Sequence, residues 1–127
     1  ISNGAEVIPH TYPAIQEGVT PRQNTKYEFH LPGRGYYGND GISINEDNYY
    51  RHSTEYITCV GSTIIIHPTS VSNACFFYNE NKELVSASSY YVASTGREIP
   101  AIAKFVRLYI GLPSGTYLDE YCCVEFT

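Results

Sequence analysis

The chain contains no Trp and no Met, and only 17% of its residues carry charge. Its 8 Lys and Arg are scattered along 127 residues, with no basic cluster. That argues against a binder of the phosphate backbone, because such proteins use clustered cations. Nucleic acid is therefore not an expected partner. A formal net charge of −5 also argues against a purely electrostatic attraction to anionic surfaces. The apolar runs, such as Ile64 to Ile66, are too short for a membrane-spanning helix, so no membrane insertion is expected. No secretory leader is visible. The chain opens on Ile1 and reads as a fragment, or a mature form, of something longer.

The four cysteines, Cys59, Cys75, Cys122 and Cys123, show no CxxC spacing, which disfavours a zinc site. Cys122 and Cys123 are adjacent in a strand-like run, so their side chains should point to opposite faces. Small buried thiols are the plainest reading. One bridge, for example from Cys59 to one of the adjacent pair, stays open if the domain matures outside a cell.

What the chain has is tyrosine: 13 residues, several in pairs. Tyr36-Tyr37, Tyr49-Tyr50 and Tyr90-Tyr91 lie beside Gly, Asn, Ser or charged residues instead of aliphatics. A tyrosine in a polar loop presents a flat apolar face and a hydroxyl at low side-chain entropy cost. Such a surface suits sugar stacking or protein docking. Together with low charge and abundant Thr, Ser, Asn and Gly, it points to an extracellular or virion-surface protein.

Residues 1–25 contain Pro9, Pro13 and Pro21 and no clean period, which predicts an extended arm or linker. Residues 26–127 carry strand and turn signals. Strands are predicted at Tyr27 to Leu31, Gly41 to Ile44, Glu55 to Val60, Thr63 to His67, Ala74 to Tyr78, Glu83 to Ser88, Lys104 to Ile110 and Tyr121 to Phe126. Gly33 to Gly41 reads as a long exposed loop, and Asn79 to Lys82 as a hairpin turn. Roughly eight strands at short spacing, with almost no helical period, predict an all-β antiparallel β-sandwich of jelly-roll type, with a barrel second.

Alternation assigns faces. Cys75 and Phe77 share one side of their strand, Phe76 and Tyr78 the other. Val106, Leu108 and Ile110 should face the core. Phe105, Arg107 and Tyr109 should then line an outer face, where an Arg between aromatic rings could bind an oxygen-rich ligand. The alternative is an Arg paired with a carboxylate on a sheet surface.

The segment Phe76-Phe77-Tyr78-Asn79-Glu80-Asn81-Lys82-Glu83-Leu84-Val85-Ser86 resembles a pattern FYD-x-N-K-x-(aromatic or aliphatic)-(Ile/Val)-S. Ile99 to Arg107 resembles P-x-N-A-x-(aromatic)-V-R, and Tyr50 to Ile57 resembles a T-x-Y-I-x-V strand. These patterns are similar to β-sandwich modules of phage tail, head-fibre and receptor-binding proteins and of glycan-degrading enzymes. The resemblance spans Tyr49 to Ile110 and implies a carbohydrate-binding domain. Asn79 and Ile102 depart from the patterns, which have an acid and an Asn there.

Enzyme chemistry finds little footing. The acids Asp40, Glu46, Asp47, Asp119 and Glu120 sit in loops with no motif to pair them across a cleft, and there is no GxSxG. His10, His30, His52 and His67 are isolated in different segments. Asn39-Asp40-Gly41 and Glu46-Asp47 offer oxygens that would suit calcium, but without EF-hand spacing. The chain is therefore expected to be non-catalytic, without cofactor or metal.

The candidate binding groups form three rims: Tyr36, Tyr37, Asn39 and Asp40; Tyr49, Tyr50, Arg51 and His52; and Tyr90, Tyr91 and Arg97. Arg107 joins them from the outer sheet face. One member of each tyrosine pair could instead turn inward or pack on a neighbouring subunit. The expected partner is a glycan or cell-surface polysaccharide. It would be bound by a receptor-binding or fibre-tip domain that works as a homotrimer or other homo-oligomer. The alternatives are a virion assembly or decoration domain with tyrosine interfaces, and an accessory module of a polysaccharide-degrading enzyme.

Overall fold

A computed structural model describes residues 12–67, 69, 71–111 and 120–127. Among them the structure is all-β with antiparallel sheets and no helix. Thirteen strands run in chain order: β1 Lys26–His30, β2 Gly33–Arg34, β3 Tyr36–Tyr37, β4 Ile44–Asn45, β5 Tyr50–His52, β6 Ile57–Thr58, β7 Thr63–His67, β8 Ser72–Tyr78, β9 Leu84–Ala87, β10 Tyr91–Val92, β11 Arg97–Glu98, β12 Phe105–Gly111 and β13 Tyr121–Phe126. The excess over roughly eight predicted strands comes from two-residue pieces, which carry too few residues for a period to show.

One sheet has the order β1-β13-β7-β11. The larger sheet is built around β12, which pairs along its whole length with β8, from Phe105↔Tyr78 to Gly111↔Ser72. Its other edge is shared by β5 and β6, with β2 beyond β5. The outer edge of β8 is shared by β9 and β10.

The period-two pattern explains how the layers meet. Val106, Leu108 and Ile110 join Cys75 and Phe77 in one buried cluster. The smaller sheet adds Phe29, Ile64, Ile66, Cys122, Val124 and Phe126 to the same cluster. Each fully buried aliphatic or aromatic side chain there stabilises the fold by about 1.5–3 kcal/mol. Cys122 lies in this cluster and Cys123 does not, as their adjacency requires. No disulfide joins the four cysteines.

The turn at Asn79 to Lys82 forms as the sequence indicates. Asn79 Oδ1 accepts from the Asn81 and Glu83 amides at 2.9 and 3.0 Å, and Lys82 takes a φ of 61°. Two segments differ from expectation. Residues 1–11 of the predicted arm lie outside the described residues, as does the turn after Gly111. The rest of the arm packs onto the sheet. Ala14 bridges Glu28, Ile15 donates to the Glu28 carbonyl at 3.0 Å, and Ile15 is buried in the core cluster. A single apolar residue between prolines carries no periodic signal of such docking. The other segment is Gly33 to Gly41, which is folded against the large sheet instead of standing free as a loop.

Leu108 sits fully buried at the middle of β12. Leu108→Ala should lower unfolding stability by about 2–5 kcal/mol, read as a lower urea midpoint with an unchanged slope.

Candidate functional site

The second face of the large sheet is aromatic, because the odd positions of β12 and the even positions of β8 project there together. Arg107 stands opposite Phe76 and Tyr109 opposite Ala74. Ala74, Phe76, Tyr78 and Tyr109 meet Tyr37, Tyr36, Tyr50, Tyr56, Leu84 and Phe105 in a second cluster, apart from the core.

The segment around Tyr37 and Gly41 covers one half of this face. Tyr78 Oη donates to the Gly41 carbonyl at 2.8 Å, and Arg107 Nη2 donates to the same oxygen at 2.7 Å. Arg107 Nε donates to Tyr78 Oη at 3.1 Å. The guanidinium carbon lies 4.2, 4.8 and 4.9 Å from the ring centres of Tyr56, Tyr37 and Tyr78. Arg107 is thus held in a tyrosine box under the loop, not displayed on an open face. Gly41 is required there. It has φ +68°, and a Cβ would come within 3.0 Å of Leu84 and 3.1 Å of Tyr78 Oη. Tyr37 is buried and donates its hydroxyl to the Ser53 carbonyl. Burial pushes its phenol up to about 12, although Arg107 pulls the other way.

Asp40 closes the turn that delivers Gly41. Its Oδ1 accepts from the amides of Ile42 and Ser43 at 2.9 and 2.8 Å, and its Oδ2 accepts from the Ser43 hydroxyl. The Ser43 hydroxyl, followed by those amides, holds the carboxyl down from 3.8 to about 2. Asp40 is exposed but occupied by its own loop, and Asn39 beside it is exposed.

Two further arginines of the predicted rims are interior. Arg51 donates to the carbonyls of Leu31 and Pro32 at 2.8 and 3.1 Å and lies 3.7 Å from Glu120. Arg97 donates to Asn73 Oδ1 at 2.7 Å and to the carbonyls of Asn73 and Tyr91. Its guanidinium lies 4.1 Å from the centre of the Tyr91 ring. Tyr37, Arg51, Arg97 and Arg107 are therefore buried and not ligand-facing, contrary to the expectation that the tyrosine pairs and their neighbours lie in open loops and that Arg107 lies on an outer sheet face. Here carbonyls left at strand ends and loops take the guanidinium protons instead. His52 is also interior, its Nδ1 3.1 Å from the Gly35 carbonyl, and burial lowers its pKa.

The remaining tyrosines converge. Tyr36, Tyr50 and Tyr90, one from each pair, meet around Tyr109. Tyr36 lies 4.8 Å from Tyr50 and 5.8 Å from Tyr109 between ring centres. Tyr50 lies 5.6 Å from Tyr90 and 6.0 Å from Tyr109, and Tyr90 stacks on Tyr109 at 5.6 Å and 17°. Tyr109 is the buried floor, Tyr36 and Tyr50 are half-buried, and Tyr90 is 40% exposed. Burial raises the Tyr90 and Tyr109 phenols, so these two stay protonated near pH 7. Val92 is exposed and in register with Ser72, and Tyr49 stands exposed beside Tyr50. Tyr91 is exposed over Arg97, opposite Asn73, on the other side of its strand.

Gly111, which the residue-type reading passed over, lets the patch close. A Cβ at Gly111 would fall 2.0 Å from Tyr90 Oη and 2.8 Å from the Tyr50 ring. Its signal in the sequence is slight: a glycine two positions beyond Tyr109, hence on the same face. One tyrosine of each rim therefore joins a single patch: Tyr36, Tyr50 and Tyr90 precede Tyr109 by 73, 59 and 19 residues in the chain but meet it in space.

Reactive groups are scarce. Burial pushes the thiols of Cys59 and Cys75 up to about 12 and that of Cys123 up to about 11, which leaves them protonated. Among the described residues, no three His, Cys, Asp or Glu side chains gather as a metal site.

Arg107→Leu should destabilise the domain by about 3 kcal/mol, since the Gly41 carbonyl and Tyr78 hydroxyl lose a charged donor. Tyr36, Tyr50 and Tyr90 should keep their contacts, a distinction that amide and ring NMR shifts can read. The Asp40 turn has a defined pH window. A depressed carboxyl contributes stability that is complete above 3.8 and is lost as pH falls towards about 2. The Asp40 carboxyl resonance should titrate near 2, and the Ile42 and Ser43 amides should lose exchange protection in the same range. Comparison with protein-family models, curated proteins and solved structures finds no match to this chain, so its function must be argued from its own geometry.

Proposed function

We propose that the Tyr36, Tyr50, Tyr90 and Tyr109 patch is a carbohydrate-binding surface. The domain is then a non-catalytic recognition module on an extracellular or virion-surface protein, of receptor-binding or fibre-tip type. The observation that carries this reading is the convergence of one tyrosine from each pair on one sheet face. Ring faces suit the apolar C–H side of a pyranose, and phenol hydroxyls bond its hydroxyls. Val92, exposed and in register with Ser72, widens the apolar area. The joint core under two antiparallel sheets supports a sandwich of jelly-roll type, a scaffold on which such a face is rigid.

A non-catalytic role is supported by what the acids do. Asp40 closes a turn, Asp47 accepts from the Tyr49 amide at 2.8 Å, and Glu120 lies near Arg51 and His30. A homotrimer or other symmetric oligomer would turn a weak single site into avid attachment. The second reading is favoured by exposed Val92 beside the tyrosines: the patch joins subunits in a virion assembly. An accessory module of a polysaccharide-degrading enzyme would use the same face in the same way.

Tyr90→Ala and Val92→Ala separate these readings. Both side chains are exposed, so folding should survive, as circular dichroism can verify. On a glycan array, each should weaken binding about tenfold while the oligomeric state by light scattering stays unchanged. Dissociation of an oligomer, with glycan binding absent in the parent domain, would favour the assembly reading.

A further inference from the structure

We infer that the patch selects glycans without anionic groups, neutral polysaccharide over its carboxylated or sulfated counterparts. This deepens, and rests on, the carbohydrate-binding reading above.

The inference comes from where the cations are. All 8 Lys and Arg of the chain are among the described residues: Arg22, Lys26, Arg34, Arg51, Lys82, Arg97, Lys104 and Arg107. The three arginines nearest the aromatic face are withdrawn from solvent, Arg51 at 8% exposure, Arg97 at 4% and Arg107 at 9%. Each is bound to backbone carbonyls. None can reach a ligand carboxylate or sulfate without leaving those partners. Lys82 and Lys104 lie at the opposite end of β12 from Gly111. Lys82 is over the Tyr56 and Phe105 rings, and the Lys104 amide donates to the Tyr78 carbonyl. Lys26 is on β1, in the other sheet, and the Arg22 amide is bound to Tyr27 Oη beside it.

Arg34 is an exposed cation on β2, two strands from β12 in the same sheet. Its Nη1 donates to Asn48 Oδ1 at 3.1 Å, in the turn that also carries Glu46 and Asp47. An anionic sugar docked on Tyr36 and Tyr50 would find no buried arginine free to pair with it, on a chain of net charge −5. The groups that make the patch are uncharged tyrosine side chains, whose ring faces suit neutral hydroxylated rings. An anion would lose hydration there with no charged donor to replace it.

The test uses the whole chain and paired polysaccharides of one backbone: neutral, carboxylated and sulfated. Binding is measured by calorimetry at about 0.1 M and about 1 M NaCl, between which the Debye length falls from about 10 to about 3 Å. The expected result is binding to a neutral member, with affinity changed by no more than about twofold by salt. Arg34→Ala should leave that affinity within about twofold, whereas losing a charged donor to an anion would weaken it about tenfold or more. Gly111→Ala, which pushes Tyr90 aside, should abolish it. Tighter binding of a charged member, weakened by salt and by Arg34→Ala, would overturn the inference and leave the carbohydrate reading standing. No binding to any member, from protein shown to be folded, would overturn both.

Discussion

The outer architecture of the large sheet depends on one buried charge. Arg107 projects from the central strand onto a face of aromatic rings, where an unsolvated guanidinium is costly. The chain meets that cost with the Gly41 carbonyl, the Tyr78 hydroxyl and three ring faces. For the carbonyl to arrive, Gly41 must take a left-handed conformation, and Asp40 must hold the turn around it. A loop rich in glycine thereby becomes a fixed cover. No carboxylate lies within ion-pair distance of Arg107 among the described residues, so dipoles and ring quadrupoles carry the whole task.

That cover sets the size and place of the open surface. One end of the aromatic face is sealed by Tyr37 and Gly41, and the other is left to Tyr36, Tyr50 and Tyr90 above Tyr109. Arg51 supports the same division by binding the carbonyls that follow β1, which anchors β5 and with it Tyr50. The arginines work as internal fasteners, and the tyrosines that remain outside are neutral. A surface of this kind recognises shape and hydroxyl groups in preference to charge. It is also preorganised, since each exposed ring leans on another, which lowers the ordering cost of binding.

Much of the scaffold was legible in the chain. The alternation in residues 74–78 and 105–110 separates Cys75, Phe77, Val106, Leu108 and Ile110 from Phe76, Tyr78, Arg107 and Tyr109. The structure keeps that separation. The hairpin at Asn79 was equally readable, because the Asn79 side chain makes its turn within four residues. The docking of Ile15 was not readable, because it depends on a β1 edge that exists only after folding. Nor were the interior positions of Arg51, Arg97 and Arg107. Whether a strand arginine meets water or a carbonyl depends on segments far away in the chain.

The same division holds for the candidate site. The sequence alone determined that the domain is built of strands, that its tyrosines come in pairs beside polar residues, and which side of β12 is aromatic. These are properties of neighbouring residues and of a repeat of two. Only the tertiary structure decided that one tyrosine of each pair joins a single patch, with Gly111 giving them room and Tyr109 beneath. The register between strands brings Tyr50 opposite Gly111 and Gly111 opposite Ser72. Register is set by how a whole sheet buries its apolar face, so no local stretch of sequence carries it.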